Sequence, residues 1–125
     1  YTACATDDTH FQPERNDRLR GWVWVRSEEL SPEALLEALK RGEYYSSTGP
    51  QIHDLQVIPG EKVKIRCSPV DSIFVTSRGA WSVYKHGRGM IEAELDIRKL
   101  KHDYCRVTIR DAQGNRAWSN PIWLK

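Results

Sequence analysis

The sequence is short of several things, and each shortage excludes something. None of its 125 residues falls in an apolar run longer than a few positions, so no segment is a candidate for a membrane-spanning helix. No two cysteines have the C-x-x-C spacing, which leaves a zinc ribbon without support. Neither sign of charge dominates: 19 Lys and Arg against 17 Asp and Glu give a net charge of +2. That balance is too mild to imply a nucleic-acid partner, and none is expected. Internal repeats and low-complexity tracts are lacking. Methionine occurs once, as Met90, and the chain opens on Tyr1. The expectation is a piece of a longer polypeptide. Nothing in the residues argues for export, and a cytoplasmic location is expected.

What is present describes a globular domain. Residues are 39% hydrophobic and 29% charged, which separates the chain from disordered sequences. Three textures follow one another. Residues 1–20 read as a short strand and then a polar, Arg-rich loop. Residues 21–50 read as a strand, a helix and a turn. Trp22 to Val25 are strand formers in a row. Ser31 is a good N-cap, Pro32 suits the first helical position, and Gly42 is placed to stop the helix. Leu35, Leu36 and Leu39 share a face of it.

Residues 51–125 read as about seven short strands. Val63, Ile65 and Cys67 alternate with Lys62, Lys64 and Arg66. Ser72 to Val75 and Trp81 to Tyr84 are further runs. Ile91, Ala93, Leu95 and Ile97 alternate, as do Cys105, Val107 and Ile109. Asp111 to Asn115 is a hairpin turn, and Pro121 interrupts the closing strand, Ala117 to Leu124. The expected fold is mainly β: a C-terminal antiparallel sandwich of immunoglobulin-like type, preceded by one strand–helix unit. The expected division is 1–50 and 51–125, with Tyr44 to Pro50 as the hinge. The order Cys67, Trp81, Cys105 is that of an immunoglobulin domain, but Tyr104 directly precedes Cys105, one position off the tyrosine corner. Two buried thiols without a bond are expected there, and Cys4 is expected to be buried in the opening strand. The tryptophans are expected to pack; stacking on sugars or bases is the alternative.

The candidate chemistry sits in Tyr1 to Phe11, YTACATDDTHF. In an extended chain Asp8 and His10 point to one side, with their Cα atoms roughly 7 Å apart. A carboxylate and an imidazole side by side suit one divalent ion or two neighbouring ones. Arg15, Arg18 and Arg20 follow closely, and such a cluster attracts an anion; Glu14 and Asp17 also balance it as an ordinary solvated surface. No residue stands out as a catalytic acid, base or nucleophile. His53, His86 and His102 have no His two positions away, and the His53–Asp54 pair reads as surface.

Taken together, DDTHF (7–11), GWVWVRSEELSPEALLEALKRGEYYSSTGP (21–50) and RVTIRDAQGNRAWSNPIW (106–123) resemble the C-terminal part of PHP-domain (polymerase and histidinol phosphatase) metal-dependent hydrolases, in the carbaryl-hydrolase-like branch. The resemblance covers nearly the whole chain. It implies a distorted (β/α)7 barrel holding up to three ions, of which 1–50 is the remnant and 51–125 an accessory β-sandwich. It implies that Asp8 and His10 are metal ligands on different ions, and that Asp7 orients His10 from behind. The paired-His motif and the middle His and Glu ligands of the family do not occur in this sequence. The expected cofactor is a divalent metal (Zn, Mn or Fe) in the intact parent, with none held tightly by this chain. The expected partner is the remainder of the barrel, with self-association through surfaces built to meet it. A reading of a different class is a free-standing immunoglobulin-like module that binds a polymer or a protein.

Overall fold

The computed structural model describes residues 2–7, 14 and 19–124. It is mainly β, with one helix and a single curled antiparallel sheet. In chain order the elements are β1 (Trp22–Val25), α1 (Pro32–Arg41), β2 (Tyr44–Ser47), β3 (Ile52–Ile58), β4 (Lys62–Thr76), β5 (Ser82–Asp96), β6 (Tyr104–Arg110), β7 (Arg116–Ser119) and β8 (Ile122–Trp123). The spatial order is β1-β2-β7-β6-β4-β3, with β5 also on β4 and β8 also on β6.

Two long strands make the curl. The first half of β4 pairs with β3 and the second half with β6, while β5 follows β4 along both halves. Two irregularities let the pair turn a corner. Between Arg66 and Val70 the extra residues are on β4; between Val70 and Ser72 they are on β5, at Gly87 to Gly89. Gly89 has φ of 61°, a conformation open to glycine at little cost. The buried set switches phase here, from Val63, Ile65 and Cys67 to Val70 and then to Ile73 and Val75. The sheet thus folds over on itself. Residues of both halves meet in one core with Leu95, Ile97, Cys105, Val107, Ile109 and Ala117.

Several sequence expectations need correction. The runs at 62–67 and 72–75 are one strand, as are 82–84 and 91–96, because the ladder continues through the bulges where alternation fails. The closing strand is two, β7 and β8, parted at Asn120 and Pro121. Residues 2–7 form no ladder. Both edges of β2 are already taken, by β1 and β7, so the segment lies over the sheet instead. It is tied by side chains: Ala5 N–H donates to Ser46 Oγ at 3.0 Å, Ser46 Oγ donates to the Ala3 carbonyl at 3.0 Å, and Ala3 N–H donates to Asn120 Oδ1 at 3.3 Å. Cys4 is exposed on this segment, with its thiol 3.4 Å from the Tyr44 hydroxyl.

Helix α1 starts and stops where its residues dictate. Ser31 Oγ accepts from the Ala34 N–H at 3.2 Å, and Gly42 closes the helix with φ of 73°. Ala38 is its buried residue; Leu36 is half exposed. The chain then enters β2, which lies between β1 and β7. One sheet therefore contains strands from both sides of residue 50, because β2 pairs with β7. Among the described residues no helix is long and apolar enough to cross a membrane.

Candidate functional site

The candidate site is rooted at one end of β1. Asp7 turns its carboxylate to three consecutive backbone amides: Oδ2 accepts from Leu19 at 2.6 Å, and Oδ1 accepts from Arg20 at 2.5 Å and Gly21 at 2.7 Å. Three N–H donors on one carboxylate make a charge-assisted nest. Leu19, at φ of 53°, is a non-glycine residue in the left-handed region, and it presents the first of these amides. Gly21 leaves room for the crossing segment: a Cβ there would stand 3.1 Å from the Thr6 carbonyl oxygen. The chain before position 8 and the chain after position 18 are thereby joined at one point.

Of the expected site residues, Asp8, His10, Arg15 and Arg18 lie outside the described residues. Asp7 and Arg20 lie within them. Arg20 is exposed and offers its backbone amide to Asp7. Asp7 as described binds backbone, a role that chain spacing does not reveal. Among the described residues no group of three His, Cys, Asp or Glu side chains stands close enough to hold a metal ion.

The remaining histidines have separate settings. His53 and Asp54 are exposed on β3, where Asp54 accepts from Gln56 at 3.5 Å. His86 Nδ1 lies 2.9 Å from Ser72 Oγ. His102 is half-buried. The thiols of Cys67 and Cys105 are free and buried, and burial pushes the Cys105 thiol up to about 11.

Trp22 and Trp24 stand opposite Ser47 and Tyr45, on the inward side of the sheet. Trp24, Tyr45, Ile52, Leu55 and Ile122 line a groove of about 820 Å³. Trp24 is 43% exposed and Trp123 66% exposed, so packing accounts for them only in part. The Tyr45 hydroxyl accepts from the Ile52 N–H at 3.0 Å, bracing the groove wall; burial raises its pKa.

No known protein family, curated protein or solved structure matches this chain.

Proposed function

We propose that this chain is the C-terminal part of a metal-dependent hydrolase of the PHP type, acting on phosphate or related esters. Asp8 and His10 are its contribution to a metal cage that other residues complete. The observation that carries this reading is the Asp7 nest. It ties the two ends of segment 8–18 together at the edge of the sheet, immediately before the two candidate ligands. A carboxylate and an imidazole two residues apart suit Zn, Mn or Fe. Such a centre, with its ion bound, supplies an acidified water and polarises an ester oxygen.

The chain's own residues have distinct parts in this reading. Asp7 anchors the start of segment 8–18 through the amides of Leu19, Arg20 and Gly21, and in this reading it also orients His10. Arg15, Arg18 and Arg20 hold the anionic part of the substrate. The whole gene product should hydrolyse p-nitrophenyl phosphate or its diester, lose that activity to a chelator, and regain it with added metal. Loss of at least about a hundredfold is expected in Asp8→Asn. An Asp8→Asn protein as active as the wild type would refute the assignment.

The exposed rings of Trp24 and Trp123 and the groove beside Trp24 favour a second reading, an immunoglobulin-like module for a polymer. Retardation in polysaccharide-containing gels, abolished by Trp24→Ala, would support it. Unchanged mobility would count against it.

A further inference from the structure

The outward face of the sheet carries a basic and aromatic row that spacing in the sequence does not announce. Register fixes it. Ser72 stands opposite His86 on one side and Arg110 on the other, and Arg110 stands opposite Arg116. The Thr48 N–H donates to the Arg116 carbonyl at 2.8 Å, bringing the row to the end of β2. Continuing the β1–β2 register by one position puts Gly21 opposite Thr48. Gly21 is one of the amides held by Asp7. A single line across the sheet thus joins the root of segment 8–18 to Arg116, Arg110 and His86. At about 4.8 Å per strand, the Arg116 backbone lies about 10 Å from that root and the Arg110 backbone about 15 Å.

A second line runs beside the first, with Phe74 opposite Tyr84. The rings of Phe74, Tyr84 and His86 form one cluster, with centroids 6.5, 5.8 and 4.9 Å apart. Tyr84 is 64% exposed. Arg110 is held in place: its guanidinium carbon is 5.9 Å from the Phe74 centroid and its Nη2 donates to Ser72 Oγ at 3.3 Å. Arg110 and Arg116 form no ion pair among the described residues. The carboxylates nearest in sequence are committed to backbone. Asp111 accepts from the Gln113 and Asn115 amides at 3.0 and 2.9 Å, and Asp71 accepts from the Gly89 amide at 3.3 Å. The acids of β5 sit at its far end, where Glu94 pairs with Lys62 and Lys64. A net charge of +2 therefore hides two arginines that no carboxylate of the described residues pairs.

We propose that this face binds a nucleotide unit, with the phosphate on Arg110 and Arg116 and the base against Tyr84 and Phe74. Guanidinium forks suit phosphate oxygens, and aromatic side chains on a sheet stack with bases of any identity. Positioning of Arg110 by Ser72 and Phe74 lowers the cost of ordering it on binding. The same chemistry is offered by a free nucleotide and by single-stranded nucleic acid. Binding at this face needs no metal, so it and the hydrolase reading fail separately.

The test is fluorescence anisotropy at low ionic strength, with a short labelled oligothymidylate and with ADP carrying a fluorescent ribose label. Binding of either probe is expected; the one that binds names the source of the ligand. Arg110→Ala with Arg116→Ala should weaken binding about tenfold or more and, for the oligonucleotide, reduce the log–log salt slope by about 1.4. Tyr84→Ala should weaken binding about fivefold or more and leave that slope unchanged. Arg116→Ala alone, at an exposed site, guards against misfolding of the double variant. The proposal is overturned if neither probe binds, if these substitutions leave binding unchanged, or if pyrophosphate competes as well as ADP.

Discussion

The Gly21 amide and an Asp7 carboxylate oxygen, fourteen residues apart in the chain, meet at 2.7 Å. With the Leu19 and Arg20 amides on the same carboxylate, this contact joins the chain before residue 8 to the chain after residue 18. Asp7→Ala removes the carboxylate that accepts from all three. The expected cost is about 1–2 kcal/mol, at the low end for charged hydrogen bonds because the site is solvent-facing. Hydrogen exchange is the sharper measure. Amides 19–21 should lose protection in Asp7→Ala while those of β6 keep theirs; equal protection in the two proteins would show that the Asp7 carboxylate does not hold these amides.

Gly49 passes close to the β6–β7 turn. A Cβ at this position would stand 2.8 Å from Asn115 Cβ, a contact that backbone must move to relieve. Asn115 is itself fixed by the Asp111 carboxylate. Gly49→Ala should therefore destabilise the protein by about 1–3 kcal/mol, as overpacking does. Gly60→Ala is a useful contrast, since nothing lies within 4 Å of its Cβ and its cost comes from a φ of 74° alone. Urea midpoints of the two variants measure the difference.

The buried thiols make an alkaline limb in stability. The folded protein keeps the Cys105 proton up to about 11, whereas an unfolded chain releases it near the ordinary value of 9.0. Above that ordinary value the unfolded state binds fewer protons, so stability falls as pH rises. The fall approaches about 1.4 kcal/mol per pH unit and ends once the folded-state thiol also ionises. Burial shifts Cys67 in the same direction. Urea melts across this window should show the decline, and Cys105→Ala should make it shallower. In the native protein a thiol reagent should modify Cys4 quickly and leave Cys67 and Cys105 untouched until denaturant is added.

Residues 51–125 made alone should be less stable than the whole chain. Removing 1–50 strips β2 from β7, taking the Tyr45, Ser46 and Ser47 pairings with it and leaving β7 an open edge. Thermal melts of the two proteins check this. A shortened protein that melts at the same temperature and stays monomeric would show that 51–125 stands as an independent unit.

Much of the fold is legible in the residues because burial there follows a simple period. Val63, Ile65 and Cys67, and again Cys105, Val107 and Ile109, alternate as half-buried strands must. Ser31, Pro32 and Gly42 announce the helix by local chemistry alone. The long strands were hidden because bulges shift the phase of burial while hydrogen bonding continues. The opening segment reads as a strand because strand formers sit there; whether a free sheet edge awaits them is a tertiary matter. Asp8 and His10 are visible as a motif. The Asp7 nest is not, since its partners are backbone amides with no residue type to betray them. Arg110, Arg116 and His86 come from three strands and become neighbours only through register.

The central claim is that Asp8 and His10 bind metal in the intact protein. The most direct measurement is the metal content of the purified whole gene product beside its His10→Gln variant, both expressed in medium supplemented with Zn, Mn and Fe. The account expects at least one tightly held divalent ion per wild-type chain and a reduced content in the variant at unchanged folding. Equal metal content in both proteins, or none in the wild type, would contradict it.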